Sequence, residues 1–72
     1  MKIIVRLKTN CEKSGVESFG DNRYLVKMMS SPDDEDAQEE FFALMTRKMG
    51  VPRTRFEFMG KDANGDRIFE VR

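Results

Sequence analysis

The sequence predicts a small α+β domain whose elements follow the order β-β-α-β-β. Three observations support this class. Short stretches of alternating apolar and polar residues lie on both sides of residues 30–52, that central stretch has the apolar spacing of a helix, and turn residues separate the strands. A chain of 72 residues buries a modest core, so we expect one domain over residues 1–72.

Two alternating stretches precede the helix. Residues 2–8 place apolar side chains on one face and mostly basic ones on the other. Residues 16–19 form either a separate short strand or an extension of the first one. The turn signal Gly20-Asp21-Asn22 follows, and residues 23–29 alternate again. The residues predicted to face the core are Ile3, Val5, Leu7, Tyr24, Val26 and Met28.

The helix has two possible starting points. In one, Ser31 caps the helix, Pro32 takes its first position and Asp34 reaches back to complete a capping box. In the other, residues 33–36 form an acidic loop and Asp36 is the cap.

The body and the end of the helix are more sharply marked. Acidic residues in the first turns and basic residues in the last complement the helix dipole. Gly50 suits a left-handed residue after the last turn, and Pro52 prevents continuation. The predicted core-facing stripe consists of Ala37, Phe41, Leu44, Met45, Lys48 and Met49.

Two further strands are predicted after the helix. They cover residues 55–59 and 67–72, and the loop between them contains the turn dipeptide Asn64-Gly65. Asp62, Asn64 and Asp66 in this loop resemble part of a calcium loop, but a hairpin loop is the better interpretation because the bidentate glutamate is missing. The inward residues are predicted to be Phe56, Phe58, Phe69 and Val71.

One helix covers one face of a sheet, so the other face is expected to be open to solvent. Its predicted residues comprise seven basic, two acidic and five apolar side chains. They are Lys2, Ile4, Arg6, Lys8, Arg23, Leu25, Lys27, Met29, Arg55, Glu57, Met59, Ile68, Glu70 and Arg72.

This face suggests two binding functions. Apolar residues rimmed by Arg and Lys suit a contact with a protein partner, with an acidic one favoured, or self-association into a homodimer. The alternative is weak nucleic-acid binding, above all of RNA, through Arg6, Lys27 and Arg55. Against that alternative, the chain carries 13 basic and 13 acidic residues, and most of its aromatic rings are predicted to face the core.

The residue types do not favour catalysis. Histidine is absent, no nucleophile lies in a pattern with a base, and the single cysteine, Cys11, is interpreted as a plain loop thiol. We therefore expect a non-enzymatic protein without cofactor or metal. No segment has the pattern of a signal peptide or membrane span, so a cytoplasmic protein that does not associate with membranes is expected.

Several segments together carry a family resemblance. Residues 3–11 form a strand and a following turn, and residues 26–38 run from a strand through Ser-Pro into the helix. Residues 49–52 end the helix, and residues 56–60 with 67–71 form a closing hairpin. In this combination the chain resembles the YggU-like family of small uncharacterised proteins.

The resemblance implies a two-layer α/β sandwich with a mixed four-stranded sheet and no established activity. The sequence departs from the family pattern at Ser31, Glu35 and Gln38, where the family has proline, glycine and asparagine. The family's C-terminal helix is also missing, which is expected to leave part of the apolar sheet uncovered. The positions that the resemblance marks as a possible common site are Lys8, Asn10, Pro32, Ala37, Gln38, Gly60 and Arg67.

Overall fold

Five strands form one mixed sheet and a single α-helix packs against it in the computed structural model, which describes Met1–Arg72. A short 3-10 helix, Arg53–Arg55, precedes the fourth strand. The elements are β1 (Lys2–Lys8), β2 (Gly15–Gly20), β3 (Arg23–Lys27), α1 (Ala37–Met49), β4 (Phe56–Lys61) and β5 (Arg67–Val71). The α+β class predicted from the sequence is therefore confirmed.

The sheet has the strand order β2-β3-β1-β5-β4, which places β1 at its centre. β1 pairs in parallel with β3 and antiparallel with β5, so the sheet is mixed. The chain reaches this arrangement because β2 forms a hairpin with β3 and carries the chain back, allowing β3 to run beside β1 in the same direction. β2 and β4 are the two edge strands.

The expected sheet of four strands is wrong by one strand. Residues 16–19 belong to β2, a separate strand and not an extension of β1. The tight turn Asp21-Asn22 makes this possible, since Asn22 takes a left-handed backbone with φ 57° that asparagine tolerates better than most residues. Val16 then lies opposite Val26 across the hairpin.

The core lies between α1 and the inner face of the sheet. Ile3 and Val5 on β1 are fully buried, and Phe41 and Met45 are the two buried residues of the helix. The Phe41 ring stacks on Phe69 of β5, with 5.3 Å between ring centroids. The buried cluster is completed by Val26, Met28 and Val71, with Leu7, Val16, Tyr24 and Phe56 packed against it.

The second of the two possible helix starts is the observed one. α1 begins at Ala37 after Asp36, although the Asp36 side chain makes no capping hydrogen bond. Ser31 does not cap the helix. Its hydroxyl accepts a hydrogen bond from the Asp33 amide at 3.2 Å, and the Asp34 carboxylate accepts one from the Asp36 amide at 2.9 Å. The acidic residues therefore form successive turns before the helix.

The predicted helix end is confirmed. Gly50 has φ 69° and its amide donates to the carbonyl oxygen of Thr46. Lys48, however, is exposed, so the prediction that it belongs to the core-facing stripe is wrong. The helix packs on the sheet through its apolar residues, and the lysine side chain stays in solvent.

A β-bulge interrupts the pairing of β4 with β5. Phe58 lies opposite Phe69 and Gly60 opposite Ile68, which leaves Met59 as the extra residue. Gly60 has φ 125°, a backbone conformation open to glycine and costly for other residues. After the bulge, Lys61 pairs with Arg67, whose strand neighbours Phe69 and Val71 face the helix. The bulge therefore turns the Lys61 side chain to the helix side of the sheet.

Candidate functional site

The sheet face opposite the helix is less basic than the sequence predicts. Arg6 donates two hydrogen bonds to the Asp66 carboxylate, at 3.2 and 3.3 Å, and Asp66 is only 8% exposed. Hydrogen bonding and attraction to Asp66 raise the pKa of Arg6 above its ordinary value. The guanidinium also lies 5.4 Å from the centroid of the Phe19 ring. Arg6 is therefore held by its own chain.

Two further basic residues of this face form ion pairs. Lys27 contacts Glu17 at 3.1 Å, and Arg72 is hydrogen-bonded to Glu57. Sequence reasoning missed the first pair because Glu17 reaches this face only when β2 is a strand of its own. Arg55 does not lie on the face as a strand residue, since it ends the 3-10 helix. The cations of this face that form no ion pair are Lys2, Lys8 and Arg23.

A groove of about 770 Å³ opens on the other side, between the start of α1 and the β4–β5 hairpin. Phe58 stands at its edge with 55% of its surface exposed, although it points to the helix side like the buried Phe69 opposite it. The two rings are 5.5 Å apart. The apolar residues that line the groove are Leu7, Ala37, Phe41, Phe42, Phe58 and Phe69.

Phe58 is exposed because the helix packs on β4 at Phe56 and leaves Phe58, two residues further along the strand, uncovered. The inward orientation predicted for Phe58 is correct, but the expected burial is wrong. Phe42, by contrast, is half-buried, and its ring lies 6.0 Å from Phe56 and 4.5 Å from the Arg53 guanidinium. Part of the aromatic face of the sheet is thus left open beside the hairpin.

The two sides of the groove carry opposite charges. Asp34 and Glu35, from the turns before the helix, line one side, while Lys61 and Arg67, from the hairpin, line the other. None of these four side chains forms an ion pair. An apolar floor between unpaired charges of both signs can bind an apolar side chain and hold charged groups on either side of it.

The structure brings together only some of the residues selected from the sequence. Pro32, Gln38 and Arg67 line the groove, together with Ala37. Gly60 does not line it but forms the bulge that directs Lys61 into it.

Arg6, Lys8 and Lys27 lie on the opposite sheet face. Asn10 lies in the connector after β1 and has φ 57°. Its backbone N–H donates a hydrogen bond to the carbonyl oxygen of Ser30.

Three contributions to the groove were missed by sequence reasoning. Simple alternation from Phe58 places Lys61 on the far face, and only Gly60 signalled the bulge that reverses it. The turn residues Asp34 and Glu35 looked like ordinary solvent-exposed acids. The exposure of Phe58 depends on how far the helix extends over the sheet, which no local pattern indicates.

The acidic hairpin loop uses its carboxylate to shape a turn. Asp62 Oδ1 accepts hydrogen bonds from the amides of Asn64 at 2.9 Å and Asp66 at 3.0 Å. This geometry matches the predicted hairpin. Across the chain, no group of three or more His, Cys, Asp or Glu side chains could hold a metal ion.

Cys11 is a free, half-buried thiol in the connector after β1. Its Sγ lies 3.5 Å from the carbonyl oxygen of Lys8, and its amide donates to the carbonyl oxygen of Met28. The residue thus helps hold the connector against the end of β3.

No protein-family model, curated protein or solved structure matches the chain. The resemblance to the YggU-like family therefore stays a prediction. No helix in the structure combines the length and the apolar character needed to cross a membrane.

Proposed function

We propose that this protein is a non-enzymatic protein-interaction module that binds a segment of a partner chain in the groove between α1 and the β4–β5 hairpin. The observation that carries the proposal is the position of Phe58. This residue is 55% exposed on the side of the sheet that otherwise forms the core. Rings of this kind, set in an apolar groove with a polar rim, are typical centres of protein interfaces.

The charges beside Phe58 define the chemistry of the partner segment. Lys61 and Arg67 lie on the hairpin side and form no ion pair within the chain. A carboxylate next to the bound apolar side chain would therefore form ion pairs with them. The expected segment therefore has an apolar or aromatic residue flanked by acidic ones on the side facing the hairpin. A basic or neutral group would face Asp34 and Glu35.

The first test is selection of displayed random peptides on the immobilised protein. We expect enriched peptides that combine an aromatic or large aliphatic residue with acidic neighbours. Phe58→Ser should weaken their binding at least about tenfold, because Phe58 is the most exposed of the large apolar residues that line the groove.

The matched control is Phe19→Ser, which removes a ring that is 44% exposed on the opposite face of the sheet. Peptides should bind this variant as tightly as the original protein. Peptides that bind the Phe58 variant with unchanged affinity, or no enrichment at all, would contradict the proposed site.

A second candidate function is weak nucleic-acid binding through the sheet face opposite the helix. Phe19 favours it, since this exposed ring lies on the same side as Arg6 and could stack on a base. The charge of the face opposes it, because Arg6, Lys27 and Arg72 are already paired with acids.

An amide NMR titration with a mixed RNA oligonucleotide pool separates the two functions. Binding through this face should shift the amides of Lys2, Lys8 and Arg23, and the shifts should decline as salt is raised. Lys8→Glu combined with Arg23→Glu should abolish them. An unperturbed spectrum at low salt would eliminate this candidate.

A further inference from the structure

We infer that the segment bound in the groove belongs to a second copy of this chain, so that the protein forms a two-fold symmetric dimer through its helix-side groove. This inference rests on the proposed function, since it names the partner of the same site. It follows from the surface around Phe58, which carries both of the features that the groove is expected to recognise.

Symmetry sets the requirement for such a contact. In a two-fold dimer the two subunits contact each other through the same patch. If one residue contacts a second residue of the other subunit, the reverse contact is also present. A patch with one sign of charge repels its own copy. A patch with separate acidic and basic sides can pair with itself, because rotation by half a turn brings the acidic side of one copy onto the basic side of the other.

The groove has this division. Four consecutive acids, Asp33 to Asp36, precede the helix, and two of them line one side. Lys61 and Arg67 line the other side. None of these six residues forms an ion pair within the chain. On the opposite face, by contrast, Arg6 and Lys27 are neutralised internally.

The remaining properties of the chain agree with self-association. The 13 basic and 13 acidic residues leave no net charge to drive two copies apart. Phe58 lies beside the Lys61–Arg67 pair along the hairpin, and in the dimer it would pack against the second copy and lose its exposure to water. Only nine of the 72 residues are buried in the single chain, so a domain of this size gains substantially from further burial.

The test is sedimentation equilibrium of the full chain over about 10 µM to 1 mM, a range that detects the weak affinities of small interfaces. Two charge-reversed variants are compared with the original protein. One carries Lys61→Glu and Arg67→Glu, and the other carries Asp34→Lys and Glu35→Lys. Circular dichroism and amide spectra establish that each variant is folded.

We expect the original protein to dimerise and each variant alone to associate at least about tenfold more weakly, because both sides of its groove then carry the same sign of charge. An equimolar mixture of the two variants should form a heterodimer with affinity close to that of the original dimer. This recovery requires the acidic side of one copy to meet the basic side of the other.

Three results would overturn the inference. They are a monomeric original protein at 1 mM, a dimer that neither variant weakens, and variants that stay monomeric when mixed. The peptide selection distinguishes failure of the symmetric dimer from failure of the protein-interaction site. A monomer that still binds peptides through Phe58 disproves the symmetric dimer alone, whereas a monomer without Phe58-dependent peptide binding disproves the protein-interaction site as well.

Discussion

At the scale of single residues, Glu40 ties the end of β3 to the first turns of the helix. Its two carboxylate oxygens accept hydrogen bonds from the amides of Met29 at 3.2 Å and Ser30 at 3.1 Å. Burial opposes the charge of Glu40, but these hydrogen bonds outweigh it and lower the pKa of the carboxyl below its ordinary value of 4.5. From the sequence, Glu40 is expected only to complement the helix dipole, like the other acidic residues of the first turns.

We predict that Glu40→Gln lowers the free energy of unfolding by about 1 kcal/mol at pH 7, because the amide side chain accepts these hydrogen bonds less well than a carboxylate. Since the pKa of Glu40 is lower in the folded state, its contribution is complete above about pH 4.5 and is lost as the pH falls through the folded-state value. The difference in free energy of unfolding between the variant and the original protein should therefore disappear at acidic pH.

Urea unfolding at several pH values measures this gap, with Glu12→Gln as a control on an exposed acid of the connector. A gap of constant size from pH 7 to pH 3 would show that the charge of Glu40 does not stabilise the fold.

At the scale of elements, the helices and strands that depend on a local residue pattern could be predicted from the sequence. The helix body and its end were readable because Phe41 and Met45 keep the helical period and Gly50 stops it. The strand β1 was readable because a central strand with one buried face alternates regularly. Its predicted limits agree with the structure, as both begin at Lys2 and end at Lys8.

The elements that were misjudged depend on pairing between distant parts of the chain. β2 has only half-buried or exposed residues, so its pattern is weak, and pairing with β3 makes it a strand. In β4, alternation holds up to Phe58 and fails after the bulge. The candidate site depends on these same features, because the bulge supplies Lys61 and the limited reach of the helix exposes Phe58.

At the scale of the whole molecule, the inner face of the sheet divides into a covered and an uncovered part. Phe69 and Phe58 are direct neighbours across β5 and β4, yet the first is 4% and the second 55% exposed. The helix packs over Phe69, which belongs to the core, and leaves Phe58 exposed at the groove. The same type of residue on adjacent strands thus serves stability in one position and, in our proposal, recognition in the other.

This division predicts that two matched substitutions differ strongly in their cost to stability. Phe69→Ala should cost about 3–5 kcal/mol, because it removes a buried ring that packs against Phe41. A domain of this size has a total stability near the lower end of the usual 5–15 kcal/mol, so the variant should keep no more than about 2 kcal/mol and unfold at much lower urea concentration and temperature. Phe58→Ala should cost no more than about 1 kcal/mol, since most of its ring already contacts water.

Thermal and urea unfolding of both variants, followed by circular dichroism, measures the difference, and peptide binding measures the function of the variant that stays folded. If Phe58→Ala keeps its stability and loses binding, the exposed ring acts in recognition. If both variants unfold alike, Phe58 belongs to the core, and the groove would then be a part of the packing and not a binding surface. The comparison is decisive because the two rings share their residue type, their sheet face and their position across the β4–β5 pair.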